Sequence, residues 1–131
     1  MNKLSLKCAD GTLVSPIALG TLYFGSRISQ ENVDALLDTF FALGGRQIDT
    51  ARSYADWLPG GESASERAIG RWLSGRNREQ VFVGTKGGLK PRGYNTTRGD
   101  LSQKNMENDL QKSLDRKRGI LINFISLVCT F

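Results

Sequence analysis

At 131 residues the chain is long enough for one domain with its own core, and shorter than a complete eight-stranded barrel, which takes about 250 residues. Its 39% hydrophobic and 24% charged residues are those of an ordinary globular protein and exclude disordered and fibrous classes. The net charge of +5 comes from scattered Lys and Arg. The densest cluster, Asp115-Arg116-Lys117-Arg118, has neither a reading helix nor stacking aromatics beside it, so it reads as a solvated face and no nucleic-acid partner is expected.

Leu4-Ser5-Leu6-Lys7 alternates with period two, Asp10-Gly11 is a turn signal, and Leu13-Val14 can return as a partner strand, which predicts an N-terminal hairpin. After Pro16, the compact run Ile17-Ala18-Leu19-Gly20 reads as a strand buried on both faces. Ser29 is an N-cap candidate, and Val33, Leu36, Leu37, Phe40 and Phe41 recur at helical spacing until Gly44-Gly45. Gln47-Ile48-Asp49 re-enters the core as a strand. Ser63 and Glu66 read as a capping box for a second helix through Ala68, Ile69, Trp72 and Leu73, stopped by Gly75. "VFVGTK", 81–86, is a β-branched and aromatic strand with a lysine at its exit. Met106, Leu110 and Leu114 line one side of a third helix, and "ILINFISLV", 120–128, is a closing strand, too short for the roughly 20 residues that cross a bilayer, so no membrane partner is expected. Cys8 and Cys129 have no metal-ligand spacing, and no secretory segment follows Met1, so a reducing cytoplasm is expected and no metal.

A hairpin followed by alternating strands and helices demands parallel strands joined by right-handed crossovers. An open doubly wound sheet and the first half of an eight-stranded barrel both satisfy it, and periodicity does not separate them. In either, working residues gather at the carboxyl ends of the strands. Asp49 and Lys86 hold that position on successive strands, and Tyr54 lies on the loop after the first. A tyrosine of ordinary pKa near 10 is a weak acid at neutral pH, and a nearby ammonium is expected to lower that value. Asp49 would balance Lys86, Lys86 would tune Tyr54, and Tyr54 would donate a proton to an oxygen becoming an alkoxide. Bland readings stand beside this one: an Asx turn for Asp49, a solvated Lys86 and a packing role for Tyr54.

Four segments in order, "ALGTLYFG" (18–25), "IDTARSYADW" (48–57), "GGESASERAIGRWL" (60–73) and "VFVGTKGG" (81–88), resemble the aldo-keto reductase family. The resemblance keeps its spacing through about residue 116. It implies the N-terminal hairpin and first four βα units of a (β/α)8 TIM barrel, NADPH as cofactor, and hydride transfer to a small-molecule aldehyde or ketone. It also implies that Asp49, Tyr54 and Lys86 are three members of a catalytic tetrad, with Tyr54 the general acid. Gly20, Thr21 and Leu22 would lie near the nicotinamide end of the cofactor, and Tyr23 and Trp57 would line the substrate pocket.

The fourth member implied by the resemblance is a histidine, and the chain contains none. Ser113-Leu114-Asp115-Arg116 begins the family's pattern; without gaps, Lys117 then stands for Leu, Asn123 for Asp and Val128 for His. The expectation is a single truncated barrel domain over 1–131, family-like over 1–116 with a divergent tail at 117–131. Its activity would be absent or impaired for want of the imidazole and of the half that anchors NADPH. Open sheet edges would invite self-association as a half-barrel interaction module, or leave an unstable by-product of a truncated gene.

Overall fold

The computed structural model describes residues 6–7, 13–76, 80–88, 100–116 and 124–127. Strands β1 (Leu6–Lys7) and β2 (Leu13–Val14) form an antiparallel hairpin with Leu6 opposite Val14; the Asp10-Gly11 turn lies outside the described residues. Then follow β3 (Ala18–Gly20), α1 (Gln30–Ala42), β4 (Gln47–Asp49), α2 (Ala64–Leu73), β5 (Phe82–Gly87), α3 (Gln103–Arg116) and β6 (Phe124–Leu127).

The sheet order β3-β4-β5-β6 is parallel throughout and strictly sequential. A doubly wound sheet needs a reversal of strand order, with helices on both faces. Here no reversal occurs, so right-handed crossovers bring every helix to one side, which is barrel winding. The alternative that periodicity left open is thereby closed.

Register fixes which side chains share a face. Leu19, Ile48 and Val83 pair in one row, and Gly20, Asp49 and Gly84 in the next. Ile48 and Val83 are fully buried against Val33 and Leu37 of α1 and Ala68, Ile69, Trp72 and Leu73 of α2. Burial of such a side chain contributes about 1.5–3 kcal/mol, so this row anchors the fold. The opposite face carries Ala18, Gly20, Gln47, Asp49, Phe82, Gly84 and Lys86, none of them fully buried. The expected two-sided burial of 17–20 is therefore wrong: Ala18 and Gly20 are exposed on that face, and Ile17, just before β3, is itself 69% exposed.

Helix α1 starts as predicted, with the Ser29 side chain accepting the Asn32 N–H, and stops at Gly44, whose φ of +93° suits glycine. Its stripe is narrower than predicted: Val33 and Leu37 are buried, and Leu36 faces solvent. The capping box on α2 does not form. Ser63 adopts a left-handed backbone, makes no side-chain cap, and gives its N–H to the Arg52 carbonyl. Glu66 turns inward instead and accepts Thr85 Oγ1–H at 2.8 Å with no exposure. On α3, Met106, Leu110 and Leu114 are half-buried as a side, but the most buried positions are polar, Asp109 and Ser113.

Among the described residues β3 and β6 each have a strand neighbour on one side only. Unpaired strand edges template pairing with another chain, so light scattering coupled to size exclusion is expected to give a mass above that of one chain, rising with concentration. A single monomeric peak at all concentrations would remove the edges as a contact.

Candidate active site

Asp49 closes β4, and the chain then runs through consecutive turns to α2. Tyr54 N–H bonds Ala51 O, Leu58 N–H bonds Ala55 O and Gly61 N–H bonds Leu58 O. This coiling turns the Tyr54 side chain back over the strand end. Lys86 is on β5, two residues past Gly84, the register partner of Asp49. Period-two alternation therefore puts Asp49 and Lys86 on the same face, one step apart.

The three tips meet. Lys86 Nζ donates to Asp49 Oδ1 at 2.6 Å, to Tyr54 Oη at 2.6 Å and to the Thr50 carbonyl at 3.1 Å. Three acceptors use all three donors of an ammonium. Tyr54 Oη donates in turn to Asp49 Oδ2 at 2.9 Å, and Lys86 Nζ stands 4.6 Å from the Tyr54 ring centre. Lys86 is 19% and Asp49 42% exposed at the side chain, so the cluster opens to solvent on the carboxylate side. The bland alternatives, a solvated lysine and a separately packed tyrosine, do not describe this geometry.

The Tyr54 phenol is pushed up from its ordinary value of 10.0, chiefly by burial. The Lys86 hydrogen bond and charge pull it down and those of Asp49 pull it up, both less than burial does. The expected net lowering by Lys86 is thus corrected, because desolvation of the phenolate, together with the Asp49 carboxylate, outweighs the ammonium. The neutral phenol is the favoured form at neutral pH, as a proton donor requires. Folding favours the protonated form, so stability falls as pH rises from about 10 through the folded value. Ultraviolet difference titration of wild type against Tyr54→Phe is expected to show this phenol ionising above pH 10; ionisation below 10 would contradict the burial argument.

Beneath the cluster, Thr21 Oγ1 donates to the Asp49 carbonyl at 2.9 Å, and Ser65 Oγ lies 2.7 Å from Thr21 Oγ1 and 2.8 Å from Thr50 Oγ1. These buried hydroxyls fix the backbone on which Asp49 stands. Sequence reasoning missed Thr50 and Ser65 in this role, since hydroxyl residues near a helix start read first as caps.

The remaining predicted residues divide. Gly20 lies beside Asp49 in register, and a Cβ there would meet nothing within 4 Å, so open room adjoins the carboxylate. Leu22 is 38% exposed at the same rim. Thr21 is buried and its hydroxyl is occupied, which leaves only its backbone to face a ligand. Tyr23 and Trp57 stack edge to face at 6.4 Å between ring centres, with the Arg27 guanidinium 4.8 Å from the Tyr23 ring centre. The room above Gly20, flanked by an exposed leucine, leaves space for a flat, partly apolar ring beside the carboxylate.

A parallel, sequentially wound sheet with a carboxylate, ammonium and phenol joined at its carboxyl rim defines a half barrel of the (β/α)8 type with a charged cluster at its mouth. The chain belongs to the aldo/keto reductase family, whose profile matches residues 16–126. It is 35% identical over 112 residues to norsolorinic acid reductase stcV of Emericella nidulans, covering 79% of this chain and 27% of that protein. Norsolorinic acid reductase B of Aspergillus parasiticus is 32% identical over 133 residues, covering 92% and 33%. The aryl-alcohol dehydrogenase [NADP(+)] of Phanerodontia chrysosporium is 39% identical over 85 residues, covering 58% and 20%. A solved Pseudomonas aeruginosa protein assigned to the aldo-keto reductases superposes with a TM-score of 0.78 at 28% identity, covering 95% of this chain and 46% of that one. The chain thus spans between a fifth and a third of these curated relatives and just under half of the solved structure.

Proposed function

We propose that this chain carries the proton-delivery site of an NADPH-dependent carbonyl reductase, with Tyr54 as general acid and Asp49 and Lys86 as its catalytic partners. The observation that carries this reading is the mutual hydrogen bonding of Lys86 Nζ, Tyr54 Oη and Asp49 at 2.6–2.9 Å. Gly20, Leu22 and the backbone of Thr21 would hold the nicotinamide end. NADPH, when bound, supplies a hydride to the carbonyl carbon.

The residues of this chain manage the other atom. Tyr54 holds a proton on Oη at neutral pH and gives it to the carbonyl oxygen. The hydroxyl turns from Asp49 Oδ2 to the carbonyl oxygen, and the phenolate left behind lies 2.6 Å from an ammonium, so the charge that develops meets a preformed opposite charge. Asp49 keeps Lys86 in place and compensates its charge in a partly enclosed site. The chain contributes no imidazole to orient the carbonyl, so turnover is expected to be slow.

The names of the relatives, norsolorinic acid reductase and aryl-alcohol dehydrogenase, together with the stacked Tyr23 and Trp57, favour a flat aromatic aldehyde or ketone as substrate. The test is consumption of reduced nicotinamide by the purified chain with NADPH and an aromatic aldehyde. A rate that Tyr54→Phe abolishes supports the reading; no rate, or one indifferent to Tyr54, overturns it. The one-sided strands β3 and β6 favour a second reading, a half barrel that pairs with another copy.

A further inference from the structure

A buried cation in the β4–α2 loop has no part in proton delivery. Arg52, 4% exposed, lies two residues before Tyr54, and its Nη2 faces the carboxylate of Asp109, 5% exposed on α3, at 3.4 Å. Asp109 Oδ2 also accepts the backbone N–H of Gly88 at 3.0 Å, two residues past Lys86. Arg52 Nη1 stands 3.5 Å from Glu62 Oε1, and the Arg52 carbonyl accepts the Ser63 N–H at 2.9 Å, which ties the far end of the loop to the same residue. A Cβ on Gly87 would come within 3.1 Å of Met106 Cε and 3.4 Å of Asp109 Cβ, so α3 packs directly on the strand exit.

These contacts close a ring. Tyr54 and Lys86 touch at the rim, and behind them the residue two positions along from each is bound to one carboxylate. A guanidinium and a carboxylate taken out of water are costly unless paired, so moving the loop away from α3 would leave two buried charges apart. Nothing in a purely hydrophobic contact between loop and helix would impose that constraint.

We propose that Asp109 is a positioning residue: by holding Arg52 and the Gly88 N–H together, it fixes the loop bearing Tyr54 against the strand end bearing Lys86 and sets the phenol–ammonium distance. The proposal rests on the rim being a proton-delivery site. The charged groups facing the Tyr54 hydroxyl are Asp49 from β4 and Lys86 from β5, so the hold of Lys86 on that hydroxyl is the quantity to measure.

The test places difluorotyrosine at position 54 of the full chain, so that its phenol ionises at lower pH, and follows its fluorine signal through a titration. In the otherwise wild-type chain, Lys86→Met is expected to move the ionisation to higher pH. With Asp109→Asn, which keeps the size and the acceptor for Gly88 N–H but removes the charge facing Arg52, that move is expected to shrink by at least about half, the sign of coupled sites. Arg52→Lys, which keeps the charge and removes the fork, is expected to shrink it too and carries the test if Asp109→Asn does not fold by circular dichroism. Equal moves in all folded backgrounds would overturn the positioning role and leave the rim intact. No move even in the otherwise wild-type chain would overturn the rim reading itself, and the role of Asp109 with it.

Discussion

Tyr54→Phe is expected to lower NADPH-dependent reduction of an aromatic aldehyde by about 10²- to 10⁴-fold, the range over which a positioned general acid acts. The substitution removes one oxygen and leaves the ring, so the 4.6 Å approach of Lys86 to the ring centre survives. What disappears is the only group in the cluster able to give a proton to a carbonyl oxygen while standing against an ammonium. Lys86 keeps Asp49 and Thr50 O as acceptors, and its partial exposure lets water take the third place, so the cost in stability is about 1 kcal/mol. Steady-state kinetics paired with a thermal melt separates the two effects. A rate within about twofold of wild type in a folded variant would exclude phenolic proton transfer.

Gly61→Ala is expected to be the most damaging single methyl in the site's scaffold. An added Cβ would overlap the Ala55 carbonyl oxygen and stand 2.8 Å from the Ala55 carbonyl carbon and 3.0 Å from the Leu58 oxygen. Those are backbone atoms with no rotamer to escape into. Ala55 is itself buried at a φ of +58°, a conformation a non-glycine residue holds only when its surroundings enforce it. The loop must therefore open, and Tyr54 is the neighbour of the residue displaced. Overpacking of this kind costs about 1–3 kcal/mol, and a shift of about 1 Å at the phenol costs roughly 10²-fold in rate. Denaturant unfolding and the fluorine signal of residue 54 check the two consequences. A variant with unchanged stability and signal would show that the loop accommodates the methyl elsewhere.

Much of this site was legible beforehand, for a definite reason. Asp49 ends a strand, Lys86 ends the next, and a parallel sheet with period-two alternation must bring such residues to one rim on one face. The hidden partners were legible only in part. Asp109 falls on the same side of α3 as Met106 and Leu110, and a charge on an otherwise apolar stripe is a sign of a buried ion pair. Arg52, by contrast, carries no periodic signal in a loop. Ser63 and Glu66 misled, since the capping pattern is local while their real partners, Arg52 O and Thr85 Oγ1, come from elsewhere in the chain. Of the tail, Asn123 and Val128 lie outside the described residues, while Phe124–Leu127 pairs with β5 and the family match runs to residue 126.

The amino-acid order by itself determined the strand and helix alternation, the burial of Ile48 and Val83, and the choice of acid, ammonium and phenol, because these follow from periodicity and short-range chemistry. Only the tertiary structure decided that the sheet winds as a barrel, that burial and Asp49 together outweigh Lys86 in setting the Tyr54 proton, and that Arg52 and Asp109 stand behind it. Each of those depends on distances between segments far apart in the chain, and on how much water those segments exclude together.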